Sequence, residues 1–225
     1  MILGDPTIMS DITIYWRGLT EKQLASYQQN QGSTNHCGKY AAASVLNLLY
    51  GTSLTGDSMV DWLNERCLKG TPLYTIFGNN NGSFVFQAAN LIRRLGQLNG
   101  LEPTVRSRKG TLKTLMENLQ NGNSLSIVSI TYFQDNEPVI AFGKNTSSSL
   151  GVTRWVGGHL MILGAYDPQH RNTEDLPTPW GFLSSWPGKD LLYWMSENDF
   201  QRSWGRLSLF NMVTVTGGKR EGETR

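Results

Sequence analysis

The 225-residue chain has only two cysteines, Cys37 and Cys67, and three histidines. Two thiols exclude a disulfide-dense scaffold, and they cannot build a metal cluster without histidine help at a spacing this chain does not have. Charged residues make up 17% of the chain, below the usual quarter, and the formal net charge is +2. There is no basic stripe interleaved with aromatics, so nucleic acid is not an expected partner. No apolar run reaches the roughly 18 residues of a membrane-spanning helix. Met1 to Pro6 carry neither the charged n-region nor the apolar stretch of a signal peptide, so the default location is the cytoplasm, with non-standard export left open. What is present is a 39% hydrophobic chain with 24 glycines and seven tryptophans. That composition fits one domain rich in turns and packed aromatics, not a helical bundle.

The stretch from Gln31 to Gly51 organises the rest. A polar loop ends at Cys37. Ala41, Ala42, Val45, Leu46, Leu48 and Leu49 then recur with three- and four-residue gaps, the period of a buried helix, and Gly51 is its stop. Cys37 is thus expected at the first turn, where unpaired N–H groups and the positive end of the helix dipole favour a thiolate.

Further helices are expected at Thr20–Gln29, with Thr20 and Gln23 as a capping box, from Thr55 to Cys67, at Phe84–Leu95, at Thr111–Leu119 and at Ser196–Ser203. Arg93 and Arg94 read as a solvated face. Residues 69–82 and Asn145–Gly151 read as loops, as does Asp167–Thr178 with an exposed His170. Strands are expected around Ile12–Trp16, Thr104–Arg108, Ser124–Tyr132, Val139–Phe142, Trp155–Tyr166, Trp180–Ser184 and Leu207–Thr216. Helices dominate before residue 122 and strands after it. The expected class is α+β, with a helical lobe over about 20–122, a sheet lobe over about 123–217, and a disordered tail over 218–225. The groove between the lobes is where a site is expected.

His159 follows Gly157-Gly158 and opens the apolar run Leu160–Leu163. A histidine there can project toward a thiol on a facing helix. Cys37 with His159 fits the pairing of a nucleophile with a base that later returns the proton to the leaving group. The Cys37 N–H and the Gln31 side-chain amide are candidate donors to an oxyanion. His36 points away from its neighbour Cys37, and Cys67 is expected to be structural.

Gln31, five residues, Cys37-Gly38 and a small-residue helix resemble the papain-like cysteine peptidases. The likeness is greatest to the bacterial branch that includes the bacteriocin-leader-processing peptidases. His159 through Asp167 is similar to that superfamily's histidine strand. Trp180-Gly181-Phe182-Leu183-Ser184-Ser185-Trp186 resembles the segment that carries the third catalytic residue and its shielding tryptophan, and Ser196–Trp204 resembles the element that follows. The resemblance spans residues 28–205. It implies a papain-like domain over 1–217, a peptide or protein substrate, thioester chemistry at Cys37 and no cofactor or metal. It places Ser184 at the third position, where the family has Asn or Asp. Ser185, Asp167, Asn172 and Asp175 are further candidates for that role. The departure keeps three outcomes open: a dyad with weak orientation, a rearranged triad, or a fold that has lost its activity. An amidase or acyltransferase on the same machinery and a silent peptide-binding module are the rival functions.

Overall fold

The computed structural model describes residues 12–32, 36–58, 85–132, 140–142, 146–148, 157–186, 191–205 and 209–218. Strand β1 (Ile14–Tyr15) leads into a 3-10 turn that buries Trp16, whose indole N–H donates to the Ser124 carbonyl at 2.9 Å. The Thr20 hydroxyl accepts the Gln23 N–H, and the Gln23 side chain accepts the Thr20 N–H. This reciprocal capping box opens the short helix α1 (Glu21–Ala25).

Helix α2 (Cys37–Tyr50) is buried along its whole length. A helix apolar on all sides belongs at the centre of a structure. It ends at Gly51, which takes φ 64° and donates its N–H to the Asn47 carbonyl, a left-handed cap that suits glycine. Thr55 then caps a new turn by accepting the Ser58 N–H. The rest of the helix expected up to Cys67, and the loop expected over 69–82, lie outside the described residues.

Helix α3 (Val85–Leu98) packs on α2. Its Arg93 does more than face solvent: the guanidinium donates to the Val105 carbonyl at 2.7 Å and ties the helix to strand β2 (Thr104–Lys109). Helix α4 (Leu112–Asn121) is capped by Thr111 and stopped by Gly122 at φ 66°, as the sequence pattern requires. Strands β3 (Ser124–Tyr132), β4 (Ile140–Phe142), β5 (Thr146–Ser148), β6 (Gly157–Tyr166), β7 (Trp180–Leu183) and β8 (Tyr193–Met195) follow. Helix α5 (Glu197–Gly205) and strand β9 (Asn211–Thr216) complete the order.

Among the described residues these strands form one antiparallel sheet in the order β2-β9-β3-β6-β7-β8-β4-β5, with β1 added on β6. The α+β class with two packed regions holds. Helices α2 and α3 make the helical region and α2 packs against β6. A layer of fully buried aromatics, Trp180, Phe182, Trp194, Phe200 and Trp204, supports the sheet from α5.

The structure departs from the sequence pattern in several places, and α1 stops at Ala25, short of the expected Gln29. Thr146–Ser148 is an edge strand, although its serine-rich composition predicts a loop; pairing with β4 outweighs local composition. Strand β8 has no counterpart among the expected strands, because three residues are too few to show a period. Strand β2 lies in the helical half of the sequence yet joins the sheet through β9. Strand β9 begins at Asn211, because Leu209 and Phe210 turn the chain at φ 49° and 59°. The expected disordered tail falls outside the described residues except for Gly218, whose N–H donates to the Tyr50 hydroxyl. Among the described residues no helix is long and apolar enough to cross a membrane.

Gly181 is a tight point of the sheet. It sits between Ala165 on β6 and Trp194 on β8. A Cβ there would lie 2.9 Å from the Trp194 ring and 3.1 Å from the Ala165 Cβ. Trp194 is fully buried and has no room to move. Gly181→Ala should therefore destabilise the protein by about 1–3 kcal/mol, read as a lower urea midpoint at unchanged slope.

Candidate active site

Cys37 is the first residue of α2, is 4% exposed, and carries a thiol outside any disulfide. Its helix has no side-chain N-cap, since His36 at that position makes no capping bond. One turn on, Tyr40, Ala41 and Ser44 line a small space together with Leu160, Ile162, Leu183, Ser184 and Ser185. The first turns of α2 thus face β6 and the segment leaving β7. Small side chains on α2 permit that approach. Cys67 lies outside the described residues.

His159 is the third residue of β6 and pairs in register with Ile130 of β3. Strand β7 pairs with β6 up to Ile162 and Leu183. Continuing that antiparallel register brings Ser184, Ser185 and Trp186 alongside the start of β6. There His159 Nε2 and Ser184 Oγ form a buried hydrogen bond of 2.8 Å. The Trp186 ring stacks on the imidazole with centroids 3.8 Å apart and planes 12° from parallel. The Trp186 N–H donates to the same Ser184 oxygen, and the Tyr193 hydroxyl donates to the Trp186 carbonyl. With Nε2 engaged by Ser184, Nδ1 is the ring nitrogen left for proton exchange.

Burial pushes the His159 pKa down from 6.5 to about 3. Desolvation disfavours the charged ring, and a neutral hydroxyl does not compensate as a carboxylate would. The resting imidazole is therefore neutral across the physiological range.

Gln31 is drawn to the same segment from the other side. Its backbone N–H donates to the Ser185 carbonyl at 2.8 Å, and its side-chain carbonyl accepts from the Ser185 hydroxyl. With the amide oxygen held, the NH2 group is the donor end of that side chain. Ser185, a candidate third residue by sequence, thus serves Gln31 while Ser184 serves His159.

Asp167, Asn172 and Asp175 make their contacts elsewhere. Asp167 Oδ1 accepts the Gln169 N–H and the Thr13 hydroxyl. The Asn172 side-chain carbonyl caps its own loop by accepting the Glu174 and Leu176 N–H groups. Asp175 is exposed, at φ 59°, and donates its N–H to the Asn172 backbone carbonyl. His170 is a correction: it is buried, not exposed. It stacks on Trp194 at 4.0 Å and hydrogen-bonds Thr178 through Nδ1. A β-bridge between Arg171 and Pro177 folds this polar loop back over the aromatic layer.

Gln28 carries no distinguishing mark in the sequence. Its side-chain oxygen accepts the Ser184 N–H at 2.9 Å, and its NH2 donates to the Leu191 carbonyl at 3.0 Å. It lies in the polar run Tyr27-Gln28-Gln29-Asn30-Gln31, where no local signal sets one glutamine apart. Among the described residues no cluster of three or more His, Cys, Asp or Glu side chains could hold a metal ion.

Solved structures share this architecture. One described as a C39-like peptidase from Bacillus anthracis matches 93% of this chain and all of its own at a TM-score of 0.56 and 10% identity. The proCathepsin B S9 of Trypanosoma congolense matches 88% of this chain and 74% of its own at a TM-score of 0.52 and 11% identity. No family profile and no curated protein matches the sequence. At such identities the likeness is one of fold: the chain has the fold of the papain-like cysteine-peptidase clan.

The buried neutral ring has a thermodynamic signature. Between pH 6.5 and about 3 the unfolded chain takes up a proton at His159 that the folded chain refuses. Folding stability must then fall as pH falls through that window, with a contribution approaching about 1.4 kcal/mol per pH unit. His159→Gln should flatten the pH dependence of urea unfolding there. Superimposable slopes for the two proteins would show that the ring is not held neutral.

Proposed function

We propose that the chain is a cysteine hydrolase that cleaves a peptide or isopeptide bond. In this reading Cys37 is the nucleophile, His159 the base and acid, Gln31 the oxyanion donor and Ser184 the partner that orients the ring. A single papain-like domain over 1–217 carries them, in a residue pattern similar to that of the bacterial leader-processing branch. The observation that carries the reading is the joint anchoring of His159 and Gln31 on Ser184 and Ser185, beside the helix that Cys37 begins.

The chemistry follows from the hydrogen bonds. When Nε2–H donates to Ser184 Oγ, Nδ1 carries the lone pair. Nδ1 takes the proton from the Cys37 sulfur as the sulfur attacks the substrate carbonyl carbon. The carbonyl oxygen becomes an oxyanion and is met by the Cys37 N–H and the Gln31 NH2. Collapse breaks the C–N bond, and Nδ1–H protonates the departing amine. Water, deprotonated by the same nitrogen, then attacks the thioester; the acid leaves and the thiol is restored. Burial, which lowers the His159 pKa, favours transfer of the proton as the sulfur attacks.

A second reading is a silent peptide-binding module. It is favoured by the serine at the third position and by the low basicity of His159. Amide transfer to an amine in place of water is a third, separable by product analysis.

Two measurements decide between activity and silence. Iodoacetamide should alkylate Cys37 at neutral pH at least about tenfold faster in the wild type than in His159→Gln, mapped by peptide mass. Cys37→Ser should abolish turnover of a peptide library while Cys67→Ser leaves it intact. Equal alkylation rates would favour the binding module, and loss of turnover in a folded Cys67→Ser would place the nucleophile wrongly.

The supporting residues separate by their effect on rate. Gln31→Ala should lower kcat by about a hundredfold at unchanged KM. Ser184→Ala should lower it by roughly ten- to a hundredfold, the worth of one hydrogen bond to a charged ring. Ser184→Asp should raise both the His159 pKa and the turnover. A change confined to KM in Gln31→Ala argues for a role in substrate binding instead.

A further inference from the structure

We propose that Gln28 is a positioning residue for this reaction: its amide fixes Ser184 so that the serine oxygen accepts Nε2–H of His159. The inference rests on the reading of His159 as the base. Its ground is geometric. The segment that begins at Ser184 supplies both the hydroxyl that bonds the imidazole and the Trp186 ring that stacks on it. Gln28 spans that segment, gripping the Ser184 N–H with its oxygen and the Leu191 carbonyl with its nitrogen. One planar amide thus holds two backbone points with opposite polarity, its oxygen accepting and its nitrogen donating.

The grip matters because serine is an ambiguous partner. A hydroxyl both donates and accepts. If Ser184 accepts Nε2–H, Nδ1 is a base. If Ser184 donates to Nε2, the proton sits on Nδ1 and the ring cannot take one from Cys37. The Trp186 N–H already points at the oxygen and occupies one lone pair. Holding the Ser184 backbone keeps its Oγ 2.8 Å from Nε2, within reach to accept Nε2–H through its second lone pair. Gln28 reaches no reacting atom; it acts through Ser184.

The test uses the full chain and two variants. Gln28→Met keeps length and removes both hydrogen bonds. Gln28→Glu keeps the acceptor for the Ser184 N–H and loses the donor to Leu191. The readouts are the ring 15N shifts of His159, which report the tautomer, and the iodoacetamide rate at Cys37. Gln28→Met should shift the ring from the Nε2–H form toward a mixture and slow alkylation by about tenfold, the loss of one hydrogen bond's worth of alignment. Gln28→Glu should retain the wild-type tautomer and a rate within about threefold of wild type. A wild-type tautomer in Gln28→Met overturns the proposal. So does a Gln28→Glu protein as disturbed as Gln28→Met, since the Leu191 end would then carry the effect. If Gln28→Met fails to fold, Gln28→Lys, which keeps a donor for the Leu191 carbonyl and loses the acceptor for the Ser184 N–H, takes its place, and a wild-type tautomer in it overturns the proposal. If wild-type Cys37 reacts no faster than in His159→Gln, the hydrolase reading fails, while the 15N shifts still rule on Gln28.

Discussion

The paired hydrogen bonds between Gln31 and Ser185 are the constraint on which the candidate site depends. They join segments 154 residues apart: the chain that leads into α2, and the chain that leaves β7. Everything of chemical interest is placed relative to that seam. Upstream of it, Gln28 reaches Ser184; downstream of it, α2 begins at Cys37. On the sheet side, Ser184 meets His159 and Trp186 covers the ring. Gln31, Ser184, Ser185 and His159 are buried, so a lost partner among them leaves an unsatisfied dipole that costs about 1–3 kcal/mol. Such a network is more rigid together than its bonds are singly.

The second support is packing behind the seam. Tyr40, Ala41 and Ser44 of α2 meet Leu160 and Ile162 of β6. Alanine and serine at the contact let the helix lie close to the strand. The aromatic layer under β7 and β8 then resists displacement of the sheet: Phe200 touches Trp180, Phe182 and Trp204 at ring separations of 5.0–5.3 Å. Glu21 adds a polar tie from α1, accepting the Leu192 N–H and the Trp194 indole N–H. Short α1 is thereby held to β8, and the glutamines that follow it are brought within reach of the site.

The features legible in the sequence are those written in contiguous residues. The period of Ala41 to Leu49, the capping box at Thr20, the glycine stops at Gly51 and Gly122 and the apolar run of β3 each declare themselves locally. The patterned resemblance brings Ser184 forward as a partner for His159 but leaves Ser185, Asp167, Asn172 and Asp175 beside it as candidates. What stays hidden depends on contacts between distant segments. Strand β8 is defined by its neighbours β7 and β4, not by a period of its own. The burial of His170 follows from stacking on Trp194 of that same short strand. Gln28 is one glutamine among several, and only the tertiary fold shows which backbone groups it meets. Polar residues at loop ends carry little periodic information, so their partners are the last thing a sequence yields.

The serine at the third position changes the physical problem the site must solve. A carboxylate has no proton to give, so beside a histidine it enforces one tautomer and stabilises the imidazolium by charge. Ser184 does neither by itself. Burial without a counter-charge is why His159 is so weakly basic. If the ring takes up a proton during the proposed reaction, its stabilisation must come from oriented dipoles. Those dipoles are present around one oxygen: the Trp186 N–H fixes one lone pair of Ser184, the backbone grip of Gln28 fixes its place, and Nε2 meets it from the third side. The fold surrounds a neutral acceptor with geometry where the papain-like pattern relies on an amide or a charge. On the proposed reading, tautomer separates a site that turns over from one that merely binds, because the same atoms in the other protonation pattern would leave Cys37 without a base.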